Sequence, residues 1–142
     1  MSQDDSQTPI IELVMPARAD RLRLMRNVVR DAAEMSGCTP DCIEDIVIAV
    51  NEACANIIQH GYHRDPNGKI ILEIRRRGED LLFRLIDFAE RVDPATVRPR
   101  PLGELRPGGL GTHFIRSVMD EAEFLPPPDG ASNLLQMVKR IR

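Results

Sequence analysis

Glu52 and Asn56 stand four residues apart in the stretch IEDIVIAVNEACANIIQHGY. A helix there sets a carboxylate and a carboxamide one turn apart on the face opposite the apolar stripe. Alone, such a pair is a solvated helix face. Asn, however, is a poor mid-helix residue because its side chain competes for the backbone. Ala49, Ala53 and Ala55 beside the pair are small enough to let a ligand approach. A carboxamide oxygen is a hard ligand suited to Mg²⁺, which keeps several waters and takes few protein ligands. A carboxylate one turn away is placed to accept or orient a hydroxyl proton.

Two other clusters extend this chemistry. Asp87 closes the apolar run LLFRLID. Such an acid is often only a turn residue, but in a pocket it accepts a hydrogen bond from an exocyclic amine such as that of adenine. Ile86 and Phe88 flank it with apolar bulk for a base. Gly108, Gly109 and Gly111 open the helical pattern of PGGLGTHFIRSVMDE. Glycines let backbone N–H groups approach an anion, and a helix starting at Leu110 offers phosphates its positive end. Thr112 and His113 add donors. The segment is neither a P-loop nor a dinucleotide fingerprint. Arg100 and Arg106, just before it, are placed to reach phosphates or a protein partner, or are solvated. In this order the three clusters compose a site for a magnesium nucleotide: metal-ligand helix, adenine-reading acid, phosphate cradle.

The elements that must position these groups follow from periodicity. Residues 1–8 are polar and expected to fray, and residues 9–142 are expected to form one domain. PIIELVM (9–15) reads as a strand. Leu22, Met25, Val29 and Ala32 recur at helical spacing within 20–35, and Gly37 stops that run. Thr39 before Pro40 is a helix start. Ile43, Ile46, Val47, Val50, Cys54, Ile57 and Ile58 then form one stripe, ended by Gly61. Residues 69–77 and 81–87 read as two strands joined by a turn at Gly78, Glu79 and Asp80. The segment 88–109, rich in proline, arginine and glycine, reads as a lid. A helix is expected over 110–121, a turn at PPPDG (126–130) and a closing strand in SNLLQMVKRIR. Strands and helices do not alternate simply, so a mixed sheet with helices on one face fits better than a doubly wound parallel sheet.

Composition excludes several classes. The net charge is −3, with no Trp and one Tyr, which gives neither a basic nor a base-stacking surface for nucleic acid. No apolar run approaches the roughly 18 residues of a membrane span, and MSQDDSQT is not a signal peptide. The three cysteines read as reduced thiols of a cytoplasmic protein. Cys38, Cys42, His60 and His63 do not have the spacing of a structural zinc site.

The chain resembles the GHKL ATPase superfamily and, more closely, the single-domain anti-sigma factor serine/threonine kinases of bacteria. The resemblance covers roughly residues 10–141. NEACANIIQHGY is similar to the N-box, PGGLGTHFIRSVMDE to the glycine-rich box after the ATP lid, and SNLLQMVKRI to the last strand. It implies a two-layer α/β sandwich of the Bergerat type, with a mostly antiparallel sheet and ATP between helices and lid. On this resemblance Glu52 is the general base, and Asn56 binds Mg²⁺. Asp87 and Ala89 lie in the adenine box, and Gly108, Gly109, Leu110, Gly111 and Thr112 cradle ATP. Its implied activity is phosphorylation of a Ser or Thr on a STAS-type anti-anti-sigma partner, with sequestration of a sigma factor and homodimerisation. One departure stands out: Asp87-Phe88-Ala89 replaces the usual Asp-x-Gly, where glycine permits close approach to adenine. The extra methyl is expected to weaken binding. A module that sequesters a sigma factor or STAS partner without phosphorylation is therefore the alternative.

Overall fold

The computed structural model describes residues 9–91 and 115–141. The chain opens with strand β1 (Ile11–Pro16), a 3-10 turn (Ala19–Arg21) and helix α1 (Leu22–Met35). Helix α2 (Pro40–Asn56) continues into a π-helical turn (Ile57–Gly61). Strands β2 (Lys69–Arg77), β3 (Asp80–Asp87), β4 (Glu121–Leu125) and β5 (Asn133–Arg140) complete it. The sheet order is β1-β2-β3-β5-β4, and each neighbouring pair is antiparallel. The expected mostly antiparallel sheet with helices on one face is borne out, and among the described residues every pairing is antiparallel, the hairpins β2–β3 and β4–β5 included.

Local chemistry accounts for the boundaries. The Thr39 hydroxyl accepts a hydrogen bond from the Cys42 N–H at 3.2 Å, and Pro40 occupies the first turn where its missing N–H is harmless. Arg77 pairs with Asp80, which leaves Gly78 and Glu79 as a two-residue hairpin loop, with Gly78 at φ +61°. Strand alternation sends Ile70, Leu72, Ile74, Leu81, Phe83, Leu85 and Met137 towards the helices, where they meet Met25, Val29, Ile46, Val50 and Cys54 in one core. All three cysteines are free thiols, and burial pushes Cys54 up to about 12.

The other sheet face carries no helix among the described residues. Val14, Ile71, Ile86, Leu134 and Leu125 stand in register there, forming an apolar row across all five strands. Val14 at its edge is 58% exposed.

The helix expected over 110–121 is corrected at its end. Residues 115–118 are helical, but β4 begins at Glu121. The Asp120 N–H donates to the Val138 carbonyl, and Asp120 Oδ2 accepts from the Arg140 N–H at 2.6 Å, so the chain is already pairing with β5 there. From that point inward Ala122 and Phe124 alternate with exposed Glu121 and Glu123, a strand period that the preceding helical pattern obscures.

Candidate functional site

Asp87 is the best-defined group of the site. It ends β3 on the helix-facing side and is 4% exposed. Its Oδ1 accepts two hydrogen bonds, from the Ala89 N–H and from Asn133 Nδ2, both at 3.0 Å. The Asp87 carbonyl accepts from the Ser132 N–H at 2.9 Å. Burial raises the carboxyl above the usual carboxylate range, while the bonds from Asn133 and Ala89 pull it back towards ionisation. Among the described residues no hydrogen bond reaches Oδ2. A buried carboxylate oxygen without a partner is costly, so this is a place for a ligand that donates.

The C-terminal end of α2 is built against this acid. A Cβ placed on Gly61 would stand 3.2 Å from the Ala89 methyl, so the helix end and the segment after β3 meet closely. The Tyr62 hydroxyl accepts from the Phe88 N–H at 2.8 Å and donates to the Lys69 carbonyl at 2.7 Å. Gly68 lies under the Tyr62 ring, where a Cβ would approach to 2.5 Å and could not be housed. Tyr62 therefore ties the start of β2 to the residues after Asp87. Lys69 Nζ sits 4.8 Å from the centre of the Phe88 ring.

Glu52 and Asn56 lie on the last turns of α2, half-buried, and among the described residues neither side chain makes a hydrogen bond or ion pair. The neighbouring Asn51 is committed to Arg26 Nη1 at 3.0 Å. Asn56 thus offers an oxygen and Glu52 a carboxylate, as the spacing suggested.

Two sequence readings are corrected here. Ala49 and Ala53 leave no room for a ligand: they are fully or almost fully buried in the core, beneath the Glu52–Asn56 face. Ile86 does not pack beside the Asp87 carboxylate, because alternation along β3 sends it to the other sheet face, opposite Ile71 and Leu134. Asn133 was missed. Its only signal was a polar residue at an inward position of the closing strand. Gly108, Gly109, Leu110, Gly111, Thr112, His113, Arg100, Arg106 and most of the expected lid lie outside the described residues.

Residues 15–139 match the model of the histidine kinase-like ATPase domain, and the chain belongs to that family. Among curated relatives, it is similar to Serine-protein kinase RsbW of Bacillus cereus strain G9842. The identity is 31% over 123 residues, which covers 81% of this chain and 76% of the relative. The RsbW of Bacillus thuringiensis strain Al Hakam matches with the same identity and coverage. Among solved structures, the RsbU and RsbW domains of Rv1364c from Mycobacterium tuberculosis superpose with a TM-score of 0.66 at 19% identity. That match covers 94% of this chain but only 32% of the larger one, and it shows the fold. The resemblance read from the sequence, to this superfamily and within it to bacterial serine kinases, is borne out.

Proposed function

We propose that this protein is an ATP-dependent serine/threonine kinase that phosphorylates a STAS-type anti-anti-sigma partner and so controls the availability of a sigma factor. The observation that carries the nucleotide reading is Asp87, a buried carboxylate with one oxygen saturated by two donors and the other without a donor among the described residues. The 6-amino group of adenine is such a donor. The names of the relatives, serine-protein kinases, support the transfer chemistry.

In this reading Asn56 holds Mg²⁺ through its side-chain oxygen, and the metal, when bound, neutralises phosphate charge. The partner's hydroxyl oxygen bonds to the γ-phosphorus while the bond to the bridging oxygen breaks and ADP departs. Glu52 receives or orients the hydroxyl proton. Gly108, Gly109, Leu110, Gly111 and Thr112 cradle the phosphates. We assign the work to the cytoplasm and to a homodimer. Val14, 58% exposed on the edge strand β1, supports pairing of two copies.

The non-phosphorylating alternative rests on Ala89, whose methyl lies beside Gly61 in the π turn that follows α2.

Titration calorimetry with ADP, with and without Mg²⁺, tests the reading. Magnesium-dependent binding is expected, and Asn56→Ala is expected to abolish it while leaving the circular dichroism unchanged. Equal ADP affinity in that variant would remove the metal-ligand assignment. Absence of wild-type binding at millimolar ADP would remove the nucleotide site altogether.

A further inference from the structure

Asn133 is buried, at 5% exposure, on the first residue of β5 directly opposite Asp87. Its Nδ2 carries two hydrogens, and both have acceptors: Asp87 Oδ1 at 3.0 Å and the Glu90 carbonyl at 2.9 Å. The orientation of this amide follows from chemistry. Turned over, its oxygen would face a carboxylate oxygen and a carbonyl oxygen, three acceptors with no hydrogen between them. The amide therefore does two things at once. It saturates Oδ1 together with the Ala89 N–H, and it fixes the Glu90 carbonyl, three residues beyond Asp87.

The consequence falls on the other oxygen. A carboxylate oxygen has two lone pairs, and both on Oδ1 are taken. Oδ2 is left as an acceptor with no donor among the described residues. A purine with a 6-amino group meets it as a donor. A purine with a 6-oxo group meets it acceptor to acceptor, and a buried mismatch of that kind is rejected far more strongly than a missing apolar contact. From this geometry we infer that Asn133 is the positioning residue that makes the site selective for 6-aminopurine over 6-oxopurine nucleotides. The inference rests on the nucleotide reading proposed above and adds a residue to it.

Asn133→Asp is the sharpest variant, since it keeps the shape and replaces the donor by an acceptor. The two facing carboxyls must then share a proton, and Asp87 is no longer held as a pure acceptor. Asn133→Ser is the second variant, retaining one donor. ADP and inosine diphosphate are titrated into the 142-residue protein and both variants. Because each ratio is taken on one protein preparation, any unfolded fraction cancels. The wild type is expected to prefer ADP by about a hundredfold. In Asn133→Asp the preference is expected to fall at least about tenfold, with Asn133→Ser between the two. A mere loss of packing would weaken both nucleotides equally. An unchanged preference in Asn133→Asp overturns the role of Asn133 while the nucleotide site stands. Failure of the wild type to bind either nucleotide overturns the site and this role together.

Discussion

The two ends of helix α2 are finished in opposite ways. The N-terminal end is closed by ordinary structural devices. Thr39 caps it, Lys139 pairs with Asp45 at 3.5 Å, and Arg76 binds the Ser36 carbonyl at 3.0 Å to hold the preceding loop. The C-terminal end departs from regular helix into a π turn, which is common at functional sites. There Glu52 and Asn56 keep their polar atoms unengaged among the described residues, and a buried acid sits alongside. One helix thus places its stabilising interactions at one end and its chemical groups at the other.

That contrast makes the two ends separable by mutation. Glu52→Ala is expected to have the largest effect, a loss of about 10²- to 10⁴-fold in phosphoryl transfer with ADP affinity kept. Rapid-quench assays with a phosphorylatable partner check it, and full transfer by the variant would remove the base.

Asp87→Asn comes next and is expected to act in two directions. Burial raises the Asp87 carboxyl from its ordinary value, so ionising it costs more in the folded protein than in the unfolded chain. The stability it contributes is present below its unfolded value of about 3.9 and is lost as pH rises through the folded value. Near neutral pH the neutral amide is therefore expected to stabilise the nucleotide-free protein by about 1 kcal/mol while removing ADP binding. Denaturant melts at pH 7 and pH 4 check the sign: the gain should shrink in acid.

Tyr62→Phe removes the hydroxyl between the Phe88 N–H and the Lys69 carbonyl. A loss of about 1 kcal/mol in stability and a several-fold loss in ADP affinity are expected, since the strap that carries Asp87 loosens. Smallest of all, and confined to the other end, Thr39→Ala is expected to lower stability by about 1 kcal/mol and leave ADP affinity untouched. A Thr39 variant that weakened nucleotide binding would break the contrast between the ends.

Much of this division was visible beforehand. The Thr39-Pro40 start, the Gly61 stop, the β2–β3 hairpin and the polar pair at 52 and 56 all announce themselves by residue type and spacing. What escaped depends on contacts between distant segments. Asn133 bonds to Asp87, 46 residues away, and its one local mark is a polar residue at an inward strand position. β4 was hidden because the helical pattern of FIRSVMDE runs straight into it, and only pairing with β5 decides where the helix stops. The π turn has no composition of its own. The alanines at 49 and 53 misled for a related reason: small size suits close packing in the core as well as it suits an open ligand face.

Tyr62 has one more consequence. The chain contains one tyrosine and no tryptophan, so fluorescence excited beyond the absorption band of its phenylalanines comes from this ring. Its hydroxyl touches the backbone directly after Asp87, and its plane is held against Gly68. Any ligand that shifts the strap changes the surroundings of the phenol. The protein therefore carries an intrinsic optical reporter at the place where occupancy matters, and its emission can follow binding without a label.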